Sequence, residues 1–340
     1  MSTLRYFLIG AVALFGAIGA IGWLKRAPRE KSPAPIVQEI VLPVPKIPRP
    51  AAKESSSVKK IGLGHEKKGG EVPTVKQQEI RNSDDLPDAN RIGQLFALDS
   101  SKLPIVETVS YTSRVPWLKG RPAWIADYAS HFETSRHFIA RSLNKKRDYF
   151  TQKVGPGDKF NVFKKEINFR FHLLIDLSRS KLWFYYIDSD AGERVLLKTY
   201  RVGIGRLDPQ KKSGYLTPLG TYELGEKIAI YKPGTMGFFQ DQKTEMIRVF
   251  GTRWIPFEKE IAGCTEPVKG LGLHGAPWTA DPLSGQLNED LSKIGKYDSD
   301  GCIRLTQEDI EEIFAIVITK PTTIELVKDF RDAKLPGVEK

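Results

Sequence analysis

The segment RFHLLIDLSRSKLWFYYID, residues 170–188, decides the fold class of this chain. Two runs of β-branched and aromatic residues flank a short polar turn, a pattern typical of a β-hairpin. Further segments of the same character follow along the chain, at residues 197–205, 220–224, 245–251 and 322–328. We therefore predict a mainly β domain over residues 167–329.

One helix is well marked within this domain. Thr306 begins the segment TQED, which has the spacing of a capping box with Asp309 at its end. Apolar residues then recur at helical intervals, at Ile310, Ile313, Phe314 and Val317. We expect this helix to interrupt a series of strands.

The composition is that of a globular protein with an excess of positive charge. The chain has 340 residues, 40% hydrophobic residues, 27% charged residues and a formal net charge of +11. This length is sufficient for two domains. The basic residues are scattered and form no stripe with interleaved aromatics, so no nucleic-acid partner is expected. An anionic membrane surface or a cell-wall polymer fits the charge equally well.

The chain opens with an apolar segment at residues 4–24. Its uncharged part, residues 6–24, would rise roughly 28 Å as a helix, close to the thickness of a bilayer core. A cleaved signal peptide is the alternative, but the run is longer than a usual signal core, which favours an uncleaved membrane anchor. The positive-inside rule places the side of Lys25 and Arg26 in the cytoplasm. The chemistry inferred below requires the opposite orientation.

Two regions of different character separate this segment from the β domain. Residues 27–90 are rich in proline and polar residues without apolar periodicity, so we predict a disordered linker.

Residues 108–164 instead show a strand (108–115), two helices and a closing strand. The helices are predicted at 122–132 and at 134–144, the second capped by Thr134 or Ser135.

This strand–helix–helix–strand order resembles a LysM module, a small domain that binds polymers of N-acetylglucosamine. The resemblance rests on Ile125 and Ala126, on ETSRHFIARSLN ending at Asn144, and on GPGDKFNVF ending at Phe163. The usual opening motif of the module is replaced here by LKGRPAW, residues 118–124. The resemblance implies glycan binding, whereas the alternative is a generic helical packing module.

Two segments carry candidate catalytic residues, GLHGAP with His274 and SDGCIRL with Cys302. A thiol is mostly protonated at neutral pH, so a cysteine nucleophile needs a nearby base, commonly a histidine. Gly301, directly before the cysteine, permits close approach of backbone amides to an oxyanion. The alternative is a buried thiol and a core histidine without catalytic function.

The other cysteine, Cys264, does not form a metal-ligand spacing with Cys302. A disulfide between the two would consume the candidate nucleophile. We therefore favour Cys264 as a small buried apolar residue. Neither a metal nor another cofactor is expected.

The pattern HG…S-x-GC-[IV]-R-[ML] is the signature of the L,D-transpeptidase (YkuD) family, which this chain resembles over residues 168–328. The matching residues are His274, Gly275, Ser299, Gly301, Cys302, Ile303, Arg304 and Leu305. The segment TPLGTYEL, residues 217–224, is also similar to a strand motif of this family. The resemblance implies a YkuD-like β-sandwich.

The resemblance also implies a reaction on peptidoglycan stem peptides. Cys302 would attack a stem tetrapeptide, release D-alanine and form a thioester that the amine of a second stem resolves. His274 would move the proton, and the amides of Gly301 and Cys302 would stabilise the oxyanion. Ser299, Asp300, Gly275 and Arg304 would complete the substrate-binding site, with Arg304 binding a substrate carboxylate or bracing the site. This activity implies a membrane-anchored chain whose catalytic domain faces the periplasm or cell wall.

Two features depart from the family pattern. Asp300 stands where histidine is common, and roughly a dozen additional residues lie within residues 276–291. In an extended segment, Asp300 and Cys302 would share a face. Asp300 would then either raise the pKa of the thiol or orient His274, and we favour the orienting role. The additional residues would form either a lid or wall on the acceptor side of the site, or a neutral surface loop.

Two other functions remain open from the sequence. Water could replace the acceptor amine, which would make the protein an L,D-carboxypeptidase or a crosslink hydrolase. A non-catalytic wall-binding protein is the second alternative. The presence of both Cys302 and His274 favours an enzyme, because binding alone does not require a thiol.

Overall fold

The computed structural model describes residues 86–144 and 153–340. The predicted anchor at residues 4–24 and most of the predicted linker lie outside the described residues. Within the described part of the chain, no helix has the length and apolar character needed to cross a bilayer.

The described residues form a mainly β structure with few helices, as the sequence predicts. The α-helices are α1 (Gly93–Phe96), α2 (Ile125–His131), α3 (Arg136–Asn144), α4 (Ile247–Phe250) and α5 (Gln307–Val317). Short 3-10 helices lie at Leu291–Lys293 and Phe330–Asp332. The strands are β1 (Val106–Ser110), β2 (Lys159–Phe163), β3 (Phe169–Asp176), β4 (Lys181–Asp188), β5 (Glu193–Arg201), β6 (Ile204–Gly205), β7 (Gly220–Leu224), β8 (Ala229–Ile230), β9 (Met236–Phe239), β10 (Gln242–Glu245), β11 (Arg253–Ala262), β12 (Gly272–Gly275), β13 (Trp278–Ala280), β14 (Leu287–Glu289), β15 (Tyr297–Ser299), β16 (Ile303–Leu305), β17 (Thr322–Val327) and β18 (Val338–Glu339).

A ten-stranded sheet forms the centre of the domain. Its strand order is β16-β12-β11-β7-β17-β3-β4-β5-β18, and β8 pairs with β11 at the side. The predicted hairpin is the antiparallel pair β3–β4, in register from Phe169 opposite Asp188 to Asp176 opposite Lys181. The sheet places β12 and β16 at one end, far along the strand order from β5 and β18.

Helix α5 begins as the sequence predicts. The Thr306 side chain accepts a hydrogen bond from the Asp309 amide at the start of the helix. The apolar face of α5 is fully buried in the main core, together with Leu273 of β12 and Ile303 of β16. The helix therefore supports the two strands that carry the candidate catalytic residues.

The segment 245–251 differs from its prediction as a strand. Its centre forms the one-turn helix α4, which ends at Gly251 with φ of 60°. A side chain at Gly251 would meet the backbone of Gly275 at 2.7 Å, so the turn packs directly on β12. A short apolar run does not distinguish a strand from a helical turn, and tertiary packing decides here.

The end of the predicted linker is ordered on the sheet. Leu86 and Ala89 pack against an apolar cluster that includes Trp183. The Trp183 indole donates a 2.7 Å hydrogen bond to the Pro87 carbonyl. The last residues of the predicted linker therefore cover apolar surface on β4.

The region 108–164 has the predicted order of strand, helix, helix and strand. Strands β1 and β2 pair antiparallel, although β1 is shorter than predicted and ends at Ser110. The second helix is capped by Ser135, whose side chain accepts from the Phe138 amide. Phe138 and Phe163 belong to the same core cluster as residues of β3, β12 and β16 in the large sheet. The region is thus packed into the rest of the domain.

Candidate active site

Two parallel strands bring the candidate catalytic residues together. In the β12–β16 pair, His274 lies opposite Arg304, and Cys302 directly precedes β16. Since residues two apart on an extended strand project to the same face, Cys302 and Arg304 share the face of His274. This strand pairing brings His274 and Cys302 near each other in space, although they are far apart in sequence.

His274 is buried, with a side chain only 3% exposed. Its Nδ1 lies 2.7 Å from the Gly275 carbonyl oxygen, which can only accept, so Nδ1 carries the proton and Nε2 is left with a lone pair. Burial lowers the pKa of His274 to about 3, and the positive charge of Arg304 acts in the same direction. The imidazole is therefore a neutral proton acceptor at physiological pH.

Cys302 is partly exposed and reduced, as is Cys264. Burial of its thiol raises the pKa to about 11, against the opposing effects of a Gly272 amide hydrogen bond and Arg304. Its Sγ lies 3.8 Å from the Gly270 carbonyl oxygen. The resting site thus contains a neutral thiol and a neutral imidazole, and the thiolate forms only as the proton leaves.

The turn before Cys302 is fixed by two hydroxyls. The Ser299 hydroxyl accepts from the Gly301 amide at 3.1 Å and donates to the Cys302 carbonyl at 2.7 Å. Thr217 donates to the Gly301 carbonyl at 2.9 Å and accepts from the Gly205 amide at 2.8 Å. Because Ser299 occupies the Gly301 amide, the predicted two-amide oxyanion hole is reduced to the Cys302 amide as its candidate donor.

Gly301 also corrects the expectation of an extended segment. Its φ is +117°, and the chain bends at Asp300 and Gly301 between β15 and β16. A Cβ at Gly301 would lie 3.0 Å from the Leu216 carbonyl oxygen and 3.0 Å from a Leu271 methyl, so only glycine fits. Asp300 and Cys302 therefore do not alternate along one strand as predicted.

Asp300 is paired with Arg206 and not with His274. The Arg206 guanidinium lies 2.6 Å from the Asp300 carboxylate, and both side chains are more than half exposed. The preferred role of Asp300 in orienting His274 is thus wrong in this structure, where the Gly275 carbonyl holds the imidazole. The Asp300 charge still reaches the thiol and contributes to its raised pKa.

Arg304 braces the site. Its guanidinium pairs with Asp298, which also binds Lys293 at 2.9 Å. Its side chain is 17% exposed, and among the described residues no group hydrogen-bonds to its Nε. Of the two roles predicted for Arg304, bracing is the one visible here.

An aromatic cluster surrounds His274 and Cys302. The Phe250 ring meets His274 edge-on with a centroid distance of 5.4 Å, and Trp254 lies on the neighbouring strand. The cluster also contains Tyr231, Met246, Ile247, Phe239, Trp278 and Leu287, with Cys302 packed against it. This apolar surrounding explains why both titrating groups favour their neutral forms.

The additional residues at 276–291 form a hairpin beside the site. Strands β13 and β14 pair antiparallel, and Trp278 and Leu287 at their base pack into the aromatic cluster with Cys302. The tip is fully open to solvent, since Leu283 is 98% exposed. The base of the hairpin is thus part of the site wall, as one of the two predicted alternatives requires.

Several site residues were not predicted from the sequence. Thr217 lies in the TPLGTYEL motif, which was recognised without a role for its hydroxyl. Phe250 and Trp254 precede the histidine motif, and no spacing links them to it. Arg206 follows the segment YRVGIG. This segment pairs with residues 297–299 at the start of the turn before Cys302 (the cysteine turn, residues 299–302), and that pairing depends on tertiary structure.

The part of the chain that carries the sheet is similar to a known family of domains. Residues 170–326 match the family model of the L,D-transpeptidase catalytic domain, YkuD. This match covers β3 through most of β17 and includes both His274 and Cys302. Residues 170–326, just under half of the chain, are therefore similar to a catalytic domain of the L,D-transpeptidase type.

Solved structures with partial similarity include the helical cell shape determining protein Pgp2 from Campylobacter jejuni, with 19% identity, a TM-score of 0.32 and 50% of each chain covered. Bd1075 from Bdellovibrio bacteriovorus has 17% identity and a TM-score of 0.32, with 49% of this chain and 50% of that chain covered. For L,D-transpeptidase 1 of Mycobacterium tuberculosis the identity is 14% and the TM-score is 0.25, with 49% of this chain and 68% of that chain covered. The chain thus spans about half the length of the first two. No curated protein sequence matches it.

Proposed function

We propose that this protein is a peptidoglycan L,D-transpeptidase that uses Cys302 as nucleophile and His274 as general base. The observation that carries the proposal is the pairing of β12 with β16, which sets a deprotonated imidazole nitrogen on the face of a partly exposed thiol. The family match over residues 170–326 supports the same chemistry.

The proposed reaction begins with a stem tetrapeptide. The Cys302 sulfur bonds to the carbonyl carbon before the terminal D-alanine while His274 Nε2 takes the thiol proton. The tetrahedral oxyanion forms at the Cys302 amide. It collapses as the C–N bond breaks, the D-alanine amine leaves with the proton from His274, and a thioester remains.

The second half of the proposed reaction restores the thiol. The amine of another stem attacks the thioester carbonyl. The proton of this amine passes to His274 and then to the departing Cys302 sulfur. The product is a new peptide bond between two stems. Water in place of the amine would give a trimmed stem, so the same site would serve an L,D-carboxypeptidase or crosslink hydrolase.

The test uses purified full-length protein and tetrapeptide muropeptides, with products identified by mass. We expect crosslinked dimers and free D-alanine from the wild type and neither from Cys302→Ala or His274→Ala. A carbapenem should add one drug mass at Cys302 and none at Cys264. Activity of Cys302→Ala equal to that of the wild type would exclude the nucleophile assignment, and trimmed monomers alone would favour the hydrolase.

We also propose that residues 108–164 hold glycan near the catalytic domain, and that residues 4–24 anchor the chain with this domain on the cell-wall side. The LysM-like order of elements supports the first proposal, as does Trp124, a 65% exposed residue whose ring offers a surface on which a sugar can stack. Because this region shares a core with the domain, its test is co-sedimentation of the full chain with insoluble peptidoglycan. Trp124→Ala should reduce the bound fraction, whereas Leu98→Ala, at another exposed apolar residue, should not.

A further inference from the structure

Within residues 86–144 and 153–340, Arg206–Asp300 is the exposed ion pair that includes a residue of the turn before Cys302. The Arg206 backbone is held in place, because its amide donates to the Ser299 carbonyl at 2.9 Å and its carbonyl accepts from Leu216. Its side chain nevertheless remains 59% exposed. A guanidinium has five N–H donors, and the Asp300 carboxylate is bound through Nη2 alone.

The position of this guanidinium relative to Cys302 is constrained. Asp300 is separated from Cys302 by Gly301 only, and its charge acts on the thiol. Arg206 contacts that carboxylate at 2.6 Å, and the Cα atoms of Asp300 and Cys302 are at most about 7.6 Å apart because only Gly301 lies between them. A peptide whose scissile carbonyl is at Cys302 carries its terminal carboxylate one residue further on, in the neighbourhood of this turn.

Arg304 is less suited to contact substrate than Arg206. It is 17% exposed, compared with 59% for Arg206, and it is enclosed by Asp298 and the Gly203 backbone. Moving its charge to a substrate would break an enclosed ion pair. The partner of Arg206 is solvent-exposed, and exposed ion pairs contribute little stability, so Arg206 can bind a second carboxylate at small cost.

We propose that Arg206 recognises the terminal carboxylate of the donor peptide, with Asp300 holding the guanidinium in position between substrates. This inference rests on the proposed function, which requires cleavage one residue before a free C-terminus. Forked N–H donors match a carboxylate better than an amide. Arg206 thereby restricts the site to peptides that end one residue after the scissile bond.

The experiment measures binding separately from turnover. The probes are a synthetic stem tetrapeptide ending in D-alanine and the same peptide ending in D-alaninamide, titrated by calorimetry into full-length Cys302→Ala protein. We expect the acid to bind roughly tenfold or more tightly than the amide, as loss of a charge-assisted hydrogen bond implies. Arg206→Gln, introduced into the Cys302→Ala protein, should remove this preference, because it weakens binding of the acid peptide and leaves binding of the amide peptide unchanged. Arg206→Lys should retain part of the preference.

The matched control is Lys340→Gln, which breaks another exposed ion pair, with Glu193 at 2.8 Å, at the opposite end of the sheet. It should leave both affinities unchanged. An acid preference that survives Arg206→Gln, equal affinities for acid and amide in the parent, or no binding of either peptide would overturn the assignment. If the preference depends on Arg206 but the wild type releases no D-alanine, the recognition stands and the transpeptidase proposal fails.

Discussion

Trp254 lies directly opposite His274 in the antiparallel pair of β11 and β12, with 5.9 Å between the ring centroids. Phe250 covers the same imidazole edge-on. Two aromatic rings and the Gly275 carbonyl thus enclose a group that in water is half protonated near pH 6.5. The enclosure makes the candidate base neutral and couples its titration to the stability of the domain.

This coupling predicts a pH-dependent stability. The folded-state pKa of His274 is lowered from 6.5 to about 3, so the unfolded chain binds a proton more readily. The resulting stabilisation is complete above pH 6.5 and is lost as the pH falls toward 3. Relative to His274→Gln, the wild type should lose up to roughly 1.4 kcal/mol of unfolding free energy per pH unit in this window. Urea denaturation at several pH values measures it, and parallel curves for the two proteins would contradict the prediction.

Asp300→Asn should make the Cys302 thiol more acidic. The Asp300 charge raises the pKa of Cys302, so removing it favours the thiolate and moves the pH dependence of iodoacetamide labelling to lower pH. Mass spectrometry separates labelling at Cys302 from labelling at Cys264. Asp190→Asn, at an exposed carboxylate far along the chain, is the control and should leave the profile unchanged. A shift to higher pH with loss of turnover would instead restore the orienting role.

Thr217→Val should destabilise the cysteine turn. The substitution keeps the shape of the side chain but leaves the Gly205 amide and the Gly301 carbonyl without their buried partner. A loss of about 1–3 kcal/mol in unfolding free energy is expected. Thr217→Ser retains the hydroxyl and should lose less. Equal stability of the valine and serine variants would show that these hydrogen bonds do not hold the turn.

Trp278→Ala should increase the accessibility of the Cys302 thiol, the candidate nucleophile. The Trp278 ring packs in the aromatic cluster that contacts Cys302, at the base of the β13–β14 hairpin. Its removal opens the wall, so the rate of Cys302 labelling at a fixed pH should rise several-fold. Leu283→Ala, at the exposed tip, should not change the rate. A labelling rate unaffected by Trp278→Ala would exclude a covering role for the hairpin base.

The sequence predicts those features that depend on local pattern. The β3–β4 hairpin and the Thr306 cap follow from alternation and capping chemistry, and the family motif singles out Cys302 and His274. The bend at Gly301 could not be predicted, because a glycine before a cysteine is compatible with both extended and positive-φ backbone. The Arg206–Asp300 ion pair could not be predicted either, because it joins residues that are distant in sequence and that the β6–β15 pairing brings together.

The packing of residues 108–164 against the β domain determines how the chain unfolds. Ser135 donates to the Ala315 carbonyl of α5 at 2.5 Å, and Phe138 is completely buried in the core that α5 also enters. A region held this way has no independent melting transition, because separating it exposes core aromatic surface on both sides. Calorimetry of the protein should therefore show one cooperative transition for the two regions, and a fragment that begins at residue 167 should be markedly less stable.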